Sequence, residues 1–370
     1  MLKWHMLLET IQVHDFRNLS GEVSWGTGLN IIYGDNGHGK TNWLEAIYFL
    51  ATSKSFRTQR PQEAISLGKE MAIIRGRVAH SREIRRDLQV AIQGNTKTLS
   101  VNNKRETVAQ YLGQISVVAF TADELDVTRG GPEARRKFLD KGIVSLHTGY
   151  IQTLSDYYRV IKQKKHLLHN ILTENIKLSD AFRLIEPWNE QLVFLSAAIH
   201  RRREDYVERL NQVLEKRLFG HEEITIRYRS SLRDKGDLKD YESIIAAHLY
   251  KRLEAEVQSA SVLVGPHRDD LEILFDGRDM RVFGSSGQQR SALIILDLAT
   301  IMLYHSWHSE YPVFIMDDVD AELDRKRIAK LLQYLEGRTQ TFITTSKDDI
   351  MKEFSSRAST YEVADGGIRN

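Results

Sequence analysis

The first hundred residues show short apolar runs with the alternation that is typical of strands. LLETIQVHDFR (7–17) and the apolar stretch 29–33 come first, followed by IIRGRVAH (73–80), REIRRDLQVAI (82–92) and TKTLSVN (96–102). Polar turn residues separate the last three runs, which favours tight connections between neighbouring strands. The pattern therefore predicts two strands and then an antiparallel meander.

From Leu125 to about Ala260 the apolar spacing changes to that of helices. One segment extends from 135 to 172 and a second from about 188 to 218, each with apolar residues three and four positions apart. Two long helices that each carry one apolar stripe favour packing as an antiparallel pair.

The last hundred residues return to short strands, and an earlier, mostly apolar run is ISVVAF (115–120). LEILFDGRDMRV (271–282) is hairpin-like, and PVFIM (312–316) and QTFITT (340–345) are core strands by their composition. Between them, SALIILDLATIMLY (291–304) is apolar on almost every side, which predicts a buried helix. ISVVAF is more typical of a buried parallel strand than of the meander.

Composition excludes several classes of protein. The chain has no Cys, so disulfides, thiolate metal sites and thiol nucleophiles are excluded. Its first residues, MLKWHMLLE, hold too short an apolar run for a signal peptide, and no run of about 18 apolar residues suggests a membrane span. We therefore expect a cytoplasmic protein with no membrane partner.

The net charge of +2 hides a basic segment. Residues 54–105 contain 12 Lys and Arg against four acids, so this segment carries +8 and the remainder about −6. Such a local excess favours DNA, because phosphate contacts release counterions. A solvated surface whose charges meet acids elsewhere is an equally good reading of charge alone. The candidate DNA contacts are Arg57, Arg60, Arg75, Arg77, Arg85 and Arg86.

The stretch NIIYGDNGHGKTNWL (30–44) has the pattern of a phosphate-binding loop. A buried strand is followed by Gly34-x-x-x-x-Gly39-Lys40-Thr41 and then by a helix with an apolar face. The backbone amides of such a loop and the helix N-terminus converge on one anion. Lys40 reaches the outer phosphates, and the Thr41 hydroxyl is a ligand for Mg²⁺.

An acidic pair follows the apolar strand PVFIM. Asp317 is expected near Thr41, where it would hold Mg²⁺ directly or through water. In related ATPases the next residue is usually a Glu that polarises the attacking water, whereas here it is Asp318. Because Asp is one methylene shorter, we predict slow hydrolysis that suits a switch, with a turnover below about 10 per second.

A second anion-friendly helix start occurs at GSSGQQR (284–290). Ser285, Gly287 and Gln288 open the buried helix, whose N-terminus adds its own dipole. A plain N-cap serine explains this short stretch when it is taken alone. One nucleotide is already held by the first loop, so a second terminus favours a symmetric dimer with two ATP molecules at the interface.

Motifs along the whole chain resemble those of the bacterial RecF family. They are HDFRNL (14–19), GDNGHGKTN (34–42), FTADELDVTRGGPEARRKFLD (120–140), GPHRDDLEILFDG (265–277), SSGQQR (285–290) and MDDVDAELD (316–324). The resemblance implies an α/β fold, the head of an SMC-type ABC ATPase with a mixed sheet, plus a helical subdomain. Residues 1–120 and 261–370 would form the ATPase domain, and 121–260 the helical subdomain.

The resemblance also implies a role for each motif residue. Asp317 becomes the Walker B acid, Asp318 and Lys40 the catalytic residues, Ser285 to Gln288 the signature that acts across the dimer, and 321–324 the D-loop. The nucleotide contacts would be Gly34, Asp35, Asn36, Gly37, His38, Gly39, Lys40, Thr41, Asn42 and Arg17. The implied function is recombinational repair and replication within the SOS response: an ATP-dependent homodimer on double-stranded and gapped DNA, with RecR, RecO and RecA as partners.

Three features depart from the family pattern. Thr344, Thr345 and Ser346 stand where ABC ATPases have a switch histidine, so hydroxyls would sense the γ-phosphate. No clear Q-loop glutamine follows ISVVAF, and Asp123 or Glu124 would take its place. The family pattern begins near Met6, so residues 1–5 are either an extension or a misassigned start.

Two other readings of the phosphate loop stay open. An ABC transporter motor usually has its signature much closer to the loop than the 245 residues that separate Lys40 from Ser285. A P-loop kinase would act as a monomer on a small acceptor, and it leaves the signature stretch unexplained. DNA-stimulated ATP hydrolysis is the property that would exclude the transporter motor.

Overall fold

The computed structural model describes residues 6–81, 83–217 and 222–369, apart from the side chain of Glu322. The possible extension at residues 1–5 and the predicted helix end at Leu218 lie outside these residues.

The described residues form fifteen β-strands and thirteen α-helices. The strands are β1 (Leu7–Phe16), β2 (Leu19–Ser24), β3 (Leu29–Tyr33), β4 (Met71–Ala79), β5 (Arg85–Gln93), β6 (Thr96–Val101), β7 (Lys104–Glu106), β8 (Val117–Phe120), β9 (Ile224–Arg229), β10 (Asp270–Phe275), β11 (Arg278–Asp279), β12 (Val313–Met316), β13 (Thr341–Thr345), β14 (Ala358–Ala364) and β15 (Gly367–Arg369). The α-helices are α1 (Lys40–Thr52), α2 (Val108–Tyr111), α3 (Asp126–Arg129), α4 (Pro132–Leu146), α5 (Tyr150–Thr173), α6 (Leu178–Leu214), α7 (Tyr241–Lys251), α8 (Leu253–Ser259), α9 (Met280–Phe283), α10 (Ser286–His308), α11 (Val319–Glu322), α12 (Arg325–Leu335) and α13 (Asp348–Phe354).

The chain divides into two compact units. Unit 1 contains Met1–Thr128, Arg217–Glu222 and Gly284–Asn370, and unit 2 contains Arg129–Lys216 and Glu223–Phe283. The predicted helical subdomain, 121–260, differs from unit 2 at both ends. Residues 261–283 belong to unit 2 because β10 pairs with β9, a long-range contact that apolar spacing does not reveal.

Unit 1 contains an antiparallel sheet with the strand order β2-β1-β4-β5-β6-β7. The predicted meander is confirmed as β4, β5 and β6, which pair in sequence. Alternate residues of these strands are buried, as Ile74 and Val90 are, so one face belongs to the core and the other is polar. α1 packs on the buried face, where a Cβ at Gly76 would lie 2.3 Å from Leu50.

The second sheet of unit 1 carries the loops that matter for function. Its order is β15-β14-β3-β13-β12-β8, and only β15 runs antiparallel to its neighbour. ISVVAF is thereby confirmed as a buried parallel strand. The carboxyl ends of parallel strands meet at one edge of a sheet, and ligand sites of open α/β sheets lie there. Residues 34, 317 and 346, which follow the ends of β3, β12 and β13, therefore lie at the same edge of the sheet.

One buried amide joins the two sheets of unit 1. The Gln340 side chain accepts a hydrogen bond from the Leu8 amide at 2.8 Å and donates to the carbonyl oxygens of Leu8 at 3.0 Å and Gly26 at 2.8 Å. Gln340 is only 1% exposed, so its polar atoms depend on these partners. The amide fixes β1 beside the start of β13.

Unit 2 is built on α5 and α6, which pack against each other. The connection 174–177 returns the chain, and Lys164 of α5 donates to Asn189 of α6 at 2.6 Å, so the predicted antiparallel pair is confirmed. The predicted helix limits are partly wrong. The segment 135–172 is broken between α4 and α5, and α6 begins ten residues before 188, with Pro187 inside it.

A three-stranded sheet with the order β11-β10-β9 completes unit 2. The hairpin expected in LEILFDGRDMRV is present as β10 and β11, which pair antiparallel. Its second strand is shorter than expected, because Met280–Phe283 forms a helical turn, α9.

Candidate nucleotide site

The phosphate loop occupies residues 34–39, between β3 and α1. Gly34 and Gly39 have φ values of 140° and 111°, which side-chain-bearing residues rarely adopt. A Cβ at Gly34 would also lie 2.5 Å from the carbonyl oxygen of Val363 in β14. The loop path therefore depends on glycine for both backbone angle and space.

Lys40 lies over the loop, and its ammonium group contacts loop oxygens. Its Nζ donates to the carbonyl oxygens of Gly34 at 2.8 Å and Asp35 at 2.9 Å, and is 3.5 Å from the side-chain oxygen of Asn36. α1 begins at Lys40 without a side-chain cap and without an acid in its first turn. The amides at this helix start are therefore left for an anion.

Asp317 lies beside Thr41, as the sequence predicts. The Thr41 hydroxyl donates to Asp317 Oδ1 at 2.9 Å, and the Thr344 hydroxyl donates to the same oxygen at 2.7 Å. Burial raises the pKa of Asp317, and the two hydroxyl hydrogen bonds partly offset this shift. Neutral hydroxyls are thus the hydrogen-bond partners of this carboxylate.

The Thr41 and Asp317 oxygens fit Mg²⁺, which is usually bound by one or two carboxylates together with phosphates and water. Among the residues that the structure describes, no cluster of three or more His, Asp or Glu residues is arranged to hold a metal. The donor set suits a cation that shares its ligands with a nucleotide better than a cation in an all-protein cage.

The residues after Asp317 are fixed by hydroxyl groups of β13. Asp318 has φ 50° and ψ 54°, its amide donates to Thr344 Oγ1 at 2.7 Å, and its side chain is exposed. The Thr345 hydroxyl donates to Asp320 at 2.7 Å. Thr344 and Thr345 are therefore buried strand residues whose protons are already used on acids, whereas Ser346 is exposed at the strand end.

A buried carboxylate that the sequence reasoning missed lies one turn after Thr41. Glu45 is completely buried, and it accepts two hydrogen bonds from Arg17 at 2.8 and 3.0 Å and one from Ser55 at 2.6 Å. Arg57 lies 3.7 Å from the same carboxylate. The available signal was an acid within the otherwise apolar WLEAIYFL run of α1, since a buried acid needs cationic partners.

Arg17, predicted as a nucleotide contact, is thus held by Glu45 near the loop. Asn42, another predicted contact, donates to Asn18 Oδ1 at 2.7 Å, and Asn18 donates to the His38 carbonyl at 3.4 Å. Arg57 donates to Asn42 at 2.6 Å. The chain of contacts places Arg57 at the phosphate loop, although the sequence grouped it with the DNA-binding residues.

The six candidate DNA-contacting arginines do not form one surface. Arg75, Arg77 and Arg85 share the polar face of the antiparallel sheet, whereas Arg86 lies on the opposite face because side chains alternate along β5. Most also have partners: Arg77 pairs with Asp87 at 2.9 Å, Arg85 with Glu9 at 3.0 Å and Arg60 with Glu63 at 3.6 Å, while Arg75 bonds to Gln89 and Arg86 to Gln114.

The signature residues cap their own helix within one chain. Ser285 Oγ accepts from the Gln288 amide at 3.3 Å, and the Gln288 side chain accepts from the Ser285 amide at 2.9 Å, which is a capping box. Gly287 is exposed, and a Cβ added there would meet nothing within 4 Å. Arg327 of α12 donates to the Gly287 carbonyl at 3.3 Å, so the predicted D-loop, 321–324, is followed by a residue that contacts the signature.

The alternative for a Q-loop, Asp123 or Glu124, lies in a short 3-10 turn directly after β8. That turn follows the strand next to β12, whose end carries Asp317. The Q-loop assignment of Asp123 or Glu124 stays a prediction.

A family model described as the RecF/RecN/SMC N terminal domain matches residues 7–369. The chain belongs to the RecF family. It is 33% identical to the DNA replication and repair protein RecF of Lactobacillus johnsonii, over 98% of this chain and 99% of that protein. It is 36% identical to the RecF protein of Halothermothrix orenii, with 92% of each chain covered.

Solved RecF structures have the same fold. A structure of the recombination mediator protein RecF with ATP, described within the RecFOR pathway, matches this RecF-family chain with a TM-score of 0.88 and 30% identity, over 99% of this chain and 98% of that one. The head of an Smc protein bound to the C-terminal winged-helix domain of ScpA matches with a TM-score of 0.51 and 16% identity, over 98% and 96% of the chains. The predicted α/β fold of an SMC-type ABC ATPase head is confirmed.

No helix among the described residues is long and apolar enough to cross a membrane.

Proposed function

We propose that this chain is an ATP-dependent DNA-binding protein of recombinational repair and replication. In this proposal it dimerises with ATP on gapped DNA or at junctions of single and double strands, and it favours RecA loading together with RecR and RecO. Membership of the RecF family supports the proposal, as do relatives described as DNA replication and repair proteins and a RecF relative solved with ATP.

The contact between Thr41 and Asp317 is the observation that carries the nucleotide part of the proposal. It joins the end of the phosphate loop to the end of β12 at 2.9 Å, across 276 residues of sequence. Residues 34–41, with Asn42 and Arg17, would hold ATP, and Thr41 with Asp317 would hold Mg²⁺. When bound, Mg²⁺ supplies positive charge that neutralises phosphate oxygens.

Lys40 and Asp318 would have different roles in ATP hydrolysis. Lys40 would exchange its carbonyl partners for phosphate oxygens, since an ammonium group binds both. Asp318 would orient water, and its short side chain predicts slow hydrolysis. A turnover well above about 10 per second would rule out this switch-like reading.

The proposed dimer rests on the helix N-terminus at residues 284–290. Ser285, Gly287 and Gln288 are exposed at the N-terminus of the 23-residue helix α10. The site of one chain would then be completed by the signature of a second copy, as an isologous dimer requires. Gly287 leaves room there for a phosphate to approach the backbone.

Sedimentation velocity with and without ATP, each with and without gapped DNA, tests the proposal. We expect a monomer without ATP and a dimer with it, and DNA should stimulate ATP hydrolysis. A Ser285→Arg variant should stay monomeric while it still binds ATP, because its own phosphate loop is intact. Dimerisation that ignores nucleotide would contradict the proposal, and hydrolysis that ignores DNA would favour the transporter-motor or kinase reading.

A further inference from the structure

The outward face of α5 is basic around the middle of the helix. Residues 157–173 contain no Asp or Glu, although they contain four Lys and Arg residues and two His residues. Of the four cations, Arg159 pairs with Asp156 and Lys164 is buried against Glu256, which leaves Lys162 and Lys165. The buried side chains of this stretch share one side of the helix: Tyr157, Val160, Lys164, Leu168 and Ile171. At 100° per residue, Lys162, Lys165, His166 and His169 lie on the opposite, exposed side. We call these four residues the α5 basic face.

The α5 basic face differs from other basic helix surfaces of unit 2 because its charges are not compensated. Within residues 6–81, 83–217 and 222–369, the side chains of Lys162 and Lys165 make no ion pair or hydrogen bond. By contrast, Lys137 of α4 pairs with Glu133 at 2.7 Å and Arg209 of α6 pairs with Asp205 at 2.8 Å. α6 as a whole balances five Arg residues with six acids.

Two purely structural explanations for a basic face disagree with the positions of Lys162 and Lys165 in α5. Basic residues stabilise a helix when they lie in its last turn, near the negative end of the dipole. The last turn of α5 contains none, since Lys162 and Lys165 lie in the middle of the helix. A helix surface kept for solubility usually mixes both signs at i,i+4 spacing, as α4 and α6 do, whereas residues 157–173 of α5 carry one sign only.

We propose that the α5 basic face binds the phosphate backbone of DNA. The inference rests on the proposed DNA-binding function, and it places a contact in unit 2 rather than only in the basic segment 54–105. Lys162 to His169 spans about 10 Å along the helix, which corresponds to about three phosphates of one DNA strand. Lysine and imidazole N–H groups both donate to phosphate oxygens.

DNA fits this face better than an acidic protein segment does. Phosphates are evenly spaced single charges, and one-turn spacing of cations along a straight helix matches such a ligand. The face contains no apolar side chain at its centre; exposed Tyr158 and Leu172 lie only at its two ends, each 45% exposed. Stable protein interfaces bury apolar and aromatic residues at their core, and this face offers none there.

The test compares two double variants of the full chain with equal loss of charge. Lys162→Gln with Lys165→Gln removes the lysines of the α5 basic face. Lys235→Gln with Lys239→Gln is the control, because these lysines are also exposed in unit 2 but lie in the sequence between Asp234, Asp237 and Asp240. Fluorescence anisotropy of a labelled gapped duplex is measured from 50 to 200 mM salt, alongside ATP-driven dimerisation without DNA.

For the α5 variant we expect the slope of log affinity against log salt to fall by about 1.8, the value for two lost phosphate contacts. Over this salt range the parent should then lose about tenfold more affinity than the variant. The control should keep the parental slope, and both variants should dimerise with ATP. An unchanged slope in the α5 variant, or an equal fall in both variants, would overturn the proposal. A parent that binds no DNA would instead refute the proposed function itself.

Discussion

Lys40 and Asp317 at the phosphate loop and two ion pairs in the interior of unit 2 satisfy their charges in opposite ways. At the loop, Lys40 is held by backbone carbonyls and Asp317 by two threonine hydroxyls. In unit 2, Arg203 and Asp140 form an ion pair at 3.0 Å, and completely buried Lys164 and Glu256 form one at 2.6 Å.

The difference separates a binding site from a structural network. Neutral partners fix the position of a charge without neutralising it, so the charge remains available for a ligand of opposite sign. An ion pair uses the charge inside the protein, and its loss exposes the partner to an apolar environment. The comparison predicts that changes at the loop reduce ATP chemistry, whereas changes in the unit 2 network reduce stability.

Loss of Arg203 should have the largest effect. Its guanidinium donates to both oxygens of Asp140 and to the Pro266 carbonyl, and it is 1% exposed. Arg203→Met leaves Asp140, whose side chain is only 14% exposed, without its cation, so the free energy of unfolding should fall by about 3–5 kcal/mol in urea titrations. The double variant with Asp140→Leu should recover part of this loss. If the unfolding free energy of Arg203→Met lies within about 1 kcal/mol of the parent's, the Arg203–Asp140 pair does not stabilise the fold.

Acid should weaken unit 2 through His267. The Tyr157 hydroxyl lies 2.6 Å from His267 Nδ1, and Nε2 lies 3.1 Å from the Val262 carbonyl, which suits a neutral ring. Burial lowers the pKa of His267 to about 4. Its contribution is complete above about pH 6.5 and is lost as the pH falls towards 4, because the unfolded ring takes up a proton first.

The difference in unfolding free energy between the parent and a His267→Asn variant isolates the titration of His267 from that of the carboxylates. Unfolding free energies at pH 7.5 and pH 4.5 should show up to about 3 kcal/mol more acid loss in the parent. Equal acid loss in both proteins would show that His267 is protonated in the folded state.

Lys40→Arg should act on ATP chemistry and leave the fold intact. The larger guanidinium keeps the charge, so some nucleotide binding should survive, but it does not match the position that Lys40 Nζ occupies over Gly34 and Asp35. We expect turnover to fall about a hundredfold, the typical loss for one electrostatic contact, with little change in the unfolding midpoint. Unchanged turnover would remove Lys40 from the site.

The polar face of the antiparallel sheet should give the smallest effect. Arg77 pairs with Asp87 while both side chains are more than half exposed. Arg77→Ala should leave the unfolding free energy almost unchanged, because an exposed ion pair contributes little, and it should change the DNA salt slope by less than the α5 variant does. A larger change in slope for Arg77→Ala would return the main DNA contact to the 54–105 segment.

The sequence predicts those parts of the molecule whose chemistry is local. Gly34 to Thr41 is one continuous motif, and several strands and the pair of long helices follow from apolar spacing. The proximity of Asp317 to Thr41 was also predictable, because a known kind of site needs both residues.

The remaining features depend on contacts that spacing does not encode. The partners of Glu45, Arg17 and Ser55, are identified only when the fold places them beside it. Arg57 and Arg86 do not lie on the predicted basic surface, because the path of the loop and the alternation of side chains along β5, rather than composition, decide their positions. Residues 261–283 join unit 2 through pairing of β10 with β9, which no local pattern reveals.

The position of β3 has a consequence for how the protein is made. Both neighbours of β3, β13 and β14, come from residues 341–364, and the Gly366 amide donates to the His38 carbonyl at 2.9 Å. On the ribosome, the strand that carries the phosphate loop therefore has no sheet partner until some 300 further residues have been translated. All six strands of the antiparallel sheet have been translated by residue 106, so a nascent chain acquires its scaffold early and its nucleotide pocket among the last events of synthesis.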